Sequence, residues 1–158
     1  MNRFMQEKWS WIEGAHAMRI GLLDALSDAD LAFNPGGQNM TLGALCREIG
    51  EIEYSYIESL KSVKQDWSYR NNEAGLNSHR AKLKTWYQIL DNDMTVLVSA
   101  FSDEDLKKLV ARPDGNSMPI DFLLDVYLQA LLIFFGKATI YLKAMNKPLP
   151  DVVREYIG

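Results

Sequence analysis

Four stretches of the chain carry apolar side chains at alternating steps of three and four residues. Residues at these steps share one helix face, so each stretch predicts an amphipathic helix that must bury its apolar stripe against others. The stretches cover about residues 3–26, 41–62, 78–101 and 119–145. In a chain of 158 residues this pattern predicts one all-α domain, a four-helix bundle over residues 1–158.

Turn-forming and capping residues separate the predicted helices. Pro35, Gly36 and Gly37 lie in the first connection, and residues 64–75 form a long polar connection with no apolar stripe. Residues with a side-chain oxygen are expected to cap the second and third helices, and a proline should occupy the first turn of the fourth. These residues are Thr41, then Asn77 or Ser78, and Pro119.

A short internal repeat indicates how the helices are arranged. The sequence Leu-Ser-Asp-Ala-Asp-Leu at residues 26–31 recurs as Phe-Ser-Asp-Glu-Asp-Leu at residues 101–106. Each copy precedes a loop that contains proline and glycine and then another predicted helix. This plan predicts one helix pair used twice about a pseudo-twofold axis, with residues 64–75 crossing the bundle. The four predicted helices then run up, down, down and up along the bundle axis.

Composition restricts the partners and the compartment. The formal charge of −4 and the pI near 5.2 offer no basic surface for nucleic acid. The single cysteine, Cys46, fits a reducing compartment, and the first residues lack the apolar segment of a signal peptide, so we expect a cytoplasmic protein. The most apolar stretch, residues 122–135, is interrupted by Asp125, Tyr127 and Gln129, which favours a buried helix over a membrane span.

Two segments resemble a known family. Residues 40–52, Met-Thr-Leu-Gly-Ala-Leu-Cys-Arg-Glu-Ile-Gly-Glu-Ile, are similar to the second helix of the DinB-like (DinB/YfiT-type) four-helix bundles. Residues 136–143, Gly-Lys-Ala-Thr-Ile-Tyr-Leu-Lys, followed by Pro148-Leu-Pro150, are similar to the end of their fourth helix. The similarity extends over all four helices and implies the DinB-like fold.

The same resemblance implies a position for a metal site. DinB-like proteins usually bind a divalent metal through one histidine of the second helix and a His-x-x-x-His pair of the fourth. By position, these ligands fall on Glu48, Ala130 and Phe134. Alanine and phenylalanine have no side-chain lone pair, so we expect neither the family's metal nor another cofactor at this place.

Two polar residues, Glu48 and His16, are candidates for an altered site. Glu48 replaces a ligand and should lie between helices, where it could bind a ligand or exchange a proton; alternatively it is solvated or paired with a nearby cation. His16 lies on the apolar stripe of the first helix. We hypothesise that His16 faces Glu48 across the bundle, the alternative being a structural histidine with another hydrogen-bond partner.

Further residues could line a pocket or belong to the core. Tyr127 and Tyr141 would contribute hydroxyl groups to a pocket, together with Ala130 and Phe134, or lie at the core edge with their polar tips in water. Cys46 is expected to be a small core residue, although Arg47 beside it could increase its thiolate fraction.

Surplus aromatic surface predicts a homodimer. Trp9 and Trp11 are two residues apart, so they cannot share one helix face, and Phe134 and Phe135 are adjacent.

The first functional hypothesis is a protein that binds a small molecule, or another protein, without the family's metal. The alternative is a thiol transferase or hydrolase with an altered site.

Overall fold

The computed structural model describes the backbone of residues 1–157 and the side chains of residues 1–155. Its six α-helices and two strands are α1 (Arg3–Glu7), α2 (Trp9–Asp24), α3 (Leu42–Ser62), α4 (Arg80–Ala100), β1 (Leu109–Ala111), β2 (Ser117–Pro119), α5 (Ile120–Ala144) and α6 (Asp151–Ile157). Short 3-10 turns lie at Ala29–Ala32, Leu76–Ser78 and Asp105–Lys107. The four long helices α2 to α5 confirm the predicted all-α bundle.

The first predicted helix is broken into two. Its start, α1, is capped by Asn2, whose side-chain oxygen accepts from the Met5 N–H and whose amide donates to the Val98 carbonyl. Lys8 then leaves the helical conformation, with φ −128° and ψ −21°. The prediction of one continuous helix was therefore wrong, because Asn2 ties the chain start to the end of α4 and fixes the direction of α1.

The predicted helix boundaries were partly right. Thr41 caps α3 by accepting a hydrogen bond of 3.2 Å from the Ala44 N–H, as expected. The prediction of Asn77 or Ser78 as cap of α4 was wrong, since both lie in a 3-10 turn and His79 precedes the helix without a side-chain cap. Pro119 lies one residue before α5, in β2, rather than in the first helical turn. The β1–β2 hairpin and α6 were not predicted.

The two copies of the repeat form the same local structure. In the first, the Ser27 N–H donates to Asp30 Oδ2 at 2.6 Å and the Asp30 N–H donates to Ser27 Oγ. In the second, Ser102 and Asp105 form the same reciprocal pair. Each copy leads into a 3-10 turn that contains a buried leucine, Leu31 or Leu106, so the predicted repeat is a real structural unit.

Contacts between helix ends establish the helix directions. Lys8 and Asp125 form an ion pair of 2.6 Å where α2 and α5 begin, so these helices are parallel. Lys84, near the start of α4, pairs with Asp24 at the end of α2, so α4 runs opposite to α2. The Tyr141 hydroxyl, near the end of α5, donates to the carbonyl just before α3. The long helices therefore run up-down-down-up, as the repeat predicted, and α2 and α3 each pack on both α4 and α5.

The crossover from α3 to α4 passes along the hairpin. Val63 ends α3 in the left-handed conformation, with φ 52°, and Lys64 bridges to Ala111 of β1. The Gln65 N–H donates to the Ala111 carbonyl at 2.8 Å, which fixes the crossover against the strand. Trp67, also in the crossover, then packs edge-on against Tyr56 of α3, with ring centroids 5.4 Å apart. This packing places the crossover against α3.

Helix α5 is the most apolar of the chain. Its 25 residues have a mean hydropathy of 1.6 over their most apolar window, enough in length and composition to cross a membrane. Core helices of globular bundles pass the same test, and α5 packs on α2 and α3.

Phe134 and Phe135 both lie in the core, at 3% and 0% exposure. They leave no aromatic surface for a dimer, so that part of the dimer argument was wrong, whereas Trp11 is 58% exposed.

Candidate functional site

A buried cluster of charged and aromatic side chains lies in the bundle, with Arg19 at its centre. The Arg19 side chain is fully buried, and its Nη2 atom lies 2.6 Å from both Glu53 Oε2 and Asp91 Oδ1. The guanidinium also stacks on the Tyr87 ring, with Cζ 3.8 Å from the ring centroid. The cluster thus joins α2, α3 and α4.

His16 extends the cluster towards α5 and towards solvent. Its Nδ1 atom lies 3.1 Å from Asp91 Oδ1, and its Nε2 atom lies 2.7 Å from the Tyr127 hydroxyl and 3.5 Å from Glu53 Oε1. His16 and Asp91 also line a cleft of about 270 Å³ between α2 and α4. The Asp91 side chain is 21% exposed, so the cluster is reachable from this cleft.

Burial changes the protonation of the cluster. Burial, reinforced by the positive charge of Arg19, lowers the pKa of His16 to about 2, so its imidazole is neutral at pH 7. Burial raises the pKa of Glu53 to about 7 although Arg19 opposes the change, and burial also raises the pKa of Asp91. The cluster holds two carboxyl groups and one cation, and a proton on Glu53 would make it neutral.

The pKa shifts of Glu53 and His16 have opposite effects on stability. Glu53 has a pKa of about 4.5 when unfolded and about 7 when folded, so its contribution to the free energy of unfolding falls as pH rises between these values. His16 has a pKa of about 6.5 when unfolded and about 2 when folded, so its contribution rises with pH between these values. Between pH 4.5 and 6.5 the two contributions offset each other.

Replacing Glu53 with glutamine should expose the His16 contribution. In metal-free E53Q, the free energy of unfolding should rise with pH between 4.5 and 6.5, relative to wild type, by up to about 1.4 kcal/mol per pH unit. Urea unfolding at several pH values measures this difference. Glu58→Gln, at an exposed position of the same helix, is the control and should follow the wild-type profile. An E53Q profile parallel to that of wild type would contradict the assignment.

The positions expected for the family's metal ligands come together elsewhere. Glu48, Ala130 and Phe134 all line a cleft of about 190 Å³ between α3 and α5. The Glu48 side chain is 40% exposed, and its Oε2 atom lies 4.0 Å from Lys137 Nζ on the opposite helix. An acid that is solvated or paired with a nearby cation was one of the two interpretations of Glu48, and its exposure and its distance from Lys137 support that interpretation.

A second and larger cleft continues from Glu48 along α3. It has a volume of about 380 Å³ and lies between α3 and the crossover, with Arg47, Glu51, Trp67 and Arg70 among its lining residues. The Glu51 carboxylate is held by Arg47 at 3.2 Å and by the Asn71 N–H at 2.9 Å. Arg70 and Lys137 remain largely exposed at the edges of the two clefts. Glu48 lines both clefts and therefore connects them.

Two solved structures share this architecture. One is a DinB-like protein, YjoA, from Bacillus subtilis, with a TM-score of 0.72 and 14% identity over 90% of this chain and 95% of that one. The other is YfiT from Bacillus subtilis, described as "a probable metal-dependent hydrolase with an unusual four-helix bundle topology", with a TM-score of 0.72 and 15% identity over 94% of this chain and 91% of that one. The chain has the DinB-like fold. At these identities, the likeness establishes the fold alone.

Comparison of the sequence with protein-family models and with curated proteins finds no match.

The hypothesis that His16 faces Glu48 was wrong. The polar contacts of His16 are with Tyr127, Asp91 and Glu53, whereas Glu48 lies in the α3–α5 clefts with Lys137. The physical reason is helix rotation. Glu53 is four residues after the buried Ile49 and points into the bundle, whereas Glu48 precedes Ile49 and projects about 100° away around the helix.

The remaining pocket candidates have different surroundings. Tyr127 is fully buried and contacts His16, so it belongs to the cluster rather than to a pocket wall. Tyr141 is also buried, and its hydroxyl donates to the Met40 carbonyl at 2.8 Å. Cys46 is a core residue, as expected, and burial raises the pKa of its thiol to about 12.

Sequence reasoning missed Arg19, Glu53 and Asp91. Each lies at a stripe position of its helix, three or four residues from buried apolar neighbours. Three charged residues of opposite sign on the inner stripes of three helices are a readable signal of a buried ion cluster, because such charges need partners.

Proposed function

We propose that the protein binds a small amphiphilic anion in the clefts between α3, α5 and the crossover, where DinB-like proteins usually hold a metal. The observation that supports this proposal is the lining of one cleft by Glu48, Ala130 and Phe134. Two of these three positions carry side chains without a donor atom, so the residues present do not fit the family's metal site. Ala130 and Phe134 form an apolar wall of the cleft instead.

The charges around the clefts favour an anionic group on the ligand. Arg47, Arg70 and Lys137 face two carboxylates, Glu48 and Glu51, which leaves one positive charge in excess. Glu51 is already bound by Arg47 and a backbone N–H. Arg70 and Lys137 lie 4.0 Å from Glu51 and Glu48, respectively, and are largely exposed, so they are the cations that a ligand can reach. A carboxylate or sulfonate could contact them while an aromatic ring packs beside Trp67 and Ala130.

An enzyme with an altered site is the second candidate. It is favoured by His16 and Asp91, a neutral imidazole and a carboxyl group that line one cleft. The thiol of Cys46 could not serve such an enzyme directly, since it is fully buried and its pKa is raised to about 12. A thiol would have to come from a co-substrate.

Fluorescence titration with 8-anilinonaphthalene-1-sulfonate tests the binding proposal, because this probe joins an aromatic body to a sulfonate. Ala130→Trp, which fills the cleft beside Glu48, should abolish saturable binding. Lys137→Glu and Arg70→Glu, at exposed positions, should each weaken binding about two- to fivefold, as expected for a surface charge interaction of about 0.5–1 kcal/mol.

A matched control is available on the other side of α5. A separate apolar groove of about 210 Å³ is lined by Trp11, Gly14 and Leu132, among others. Gly14→Trp fills that groove and should leave binding of the probe unchanged. No saturable binding by the wild type, unchanged binding by folded A130W, or loss of binding in G14W would each reject the proposed clefts, with folding checked by thermal unfolding.

A further inference from the structure

We propose that His16, Glu53 and Asp91 form a binding site for one divalent transition-metal ion, separate from the α3–α5 clefts. The three residues come from α2, α3 and α4, and each offers a donor atom within 4.8 Å of the others. Ligand atoms around a zinc ion with bonds of about 2.0–2.2 Å lie about 3–3.5 Å apart. The 3.1 Å distance between His16 Nδ1 and Asp91 Oδ1 is already in this range. Glu53 Oε1 lies 3.5 Å from the other ring nitrogen, Nε2, so a small shift of the imidazole or of the Glu53 side chain is needed for one ion to contact all three residues.

The buried carboxylate of Glu53 is a second, independent observation that favours a bound ion. Its side chain is 0% exposed, and in the described structure neither carboxylate oxygen accepts a well-formed hydrogen bond. The 2.6 Å contact of Oε2 with Arg19 Nη2 is an ion pair that lacks hydrogen-bond geometry. Buried carboxylate oxygens are normally hydrogen-bonded or bound to a metal, because leaving them unsatisfied is costly. Oε1, which faces His16, is the atom that a metal would satisfy.

The chemistry of the donors selects the class of ion. One imidazole nitrogen with two carboxylates suits zinc, manganese, iron or cobalt, whereas calcium and magnesium prefer sites made of oxygen alone. Arg19 balances only one of the two carboxylates when both are ionised, so the cluster carries one negative charge that attracts a cation, and a bound divalent ion leaves one positive charge in excess.

The surroundings resemble the outer shell of a metal site. Tyr127 contacts His16 Nε2 at 2.7 Å, and a proton on Nε2 would leave the lone pair of Nδ1 facing Asp91. Arg19 holds both carboxylates in place from the interior, as outer-shell partners do. The α2–α4 cleft, which His16 and Asp91 line, provides a path for the ion and space for water.

Metal titration of the purified chain tests the site directly. Protein stripped with EDTA should bind about one equivalent of zinc in calorimetric titrations, and cobalt(II) should give a visible absorption spectrum typical of a nitrogen and oxygen ligand set. His16→Gln and Asp91→Asn should weaken zinc at least about 100-fold, since the loss of even an outer-shell partner costs about 10–100-fold. Asp91 is partly exposed, so D91N is the variant expected to keep its fold.

Two controls separate this site from other sources of metal binding. His79→Gln changes the other histidine of the chain, which is exposed at the start of α4, and Glu48→Gln changes the donor at the family's metal position. Both variants should bind zinc like the wild type. Absence of zinc and cobalt binding, retention of zinc by folded D91N, or loss of zinc in E48Q would overturn the proposal. None of these outcomes depends on ligand binding in the α3–α5 clefts.

Discussion

Replacing Arg19 with methionine is expected to lower the free energy of unfolding at pH 7 by about 3–5 kcal/mol. Methionine fills much of the same volume, but it removes the cation that lies 2.6 Å from both Glu53 and Asp91. Two carboxyl groups then share a buried site without a counter-ion, and breaking a buried ion cluster from one side is far costlier than deleting a surface pair. Urea unfolding followed by circular dichroism measures the change.

The charge explanation can be separated from a packing explanation. Arg3→Met removes a guanidinium that is 68% exposed and 3.8 Å from its acidic partner, so it should cost less than about 1 kcal/mol. Adding Glu53→Gln and Asp91→Asn to R19M should recover at least half of the loss, because the stranded charges are removed while the cavity remains. If the triple variant is no more stable than R19M, the loss comes from packing and the charge argument fails.

Replacing Gly43 with alanine is expected to cost about 3 kcal/mol, near the upper end for overpacked sites. A Cβ atom at Gly43 would lie 1.8 Å from the Asn77 carbonyl oxygen and 3.1 Å from that of Leu31. Both obstacles are backbone atoms, so no side-chain rotation relieves the clash. The first turn of α3 must move away from the 3-10 turn before α4, which thermal or urea unfolding will show as a large loss of stability.

The same substitution at Gly14 should have the opposite sign. Gly14 lies inside α2 at an exposed position, and an added Cβ would meet nothing within 4 Å. Alanine there should raise the free energy of unfolding by about 0.5–1 kcal/mol, since glycine loses more backbone entropy in a helix. Equal effects of G43A and G14A would show that helix propensity, and not the close approach of Asn77, decides both.

Local features of this protein could be predicted because their causes are local. The three- and four-residue spacing of apolar side chains identified α3 and α5 closely, since helical periodicity depends only on residues one turn apart. Thr41 was recognised as a cap for the same reason. The repeated Ser-Asp turns predicted two equivalent helix pairs, and the long polar crossover between the pairs predicted the up-down-down-up order of the four helices.

Features that depend on distant partners required the tertiary structure. The break at Lys8 follows from Asn2 contacts with the carbonyls of Val98 and Phe101, about a hundred residues away. The short hairpin carries no periodic signal of its own, because strands of three residues are too short to show alternation.

Some residues of the candidate sites could be identified before the structure, and others could not. The resemblance to the DinB-like family drew attention to Glu48, Ala130 and Phe134, and they do share a cleft. The sequence also marked His16 as a polar residue on an inner stripe, but it could not say which acids His16 meets. That depends on the rotation of α3 and α4 about their axes, which is decided by packing of the whole core. Only the assembled bundle brings Glu53 and Asp91 around Arg19, because their positions are set by contacts between helices and not within them.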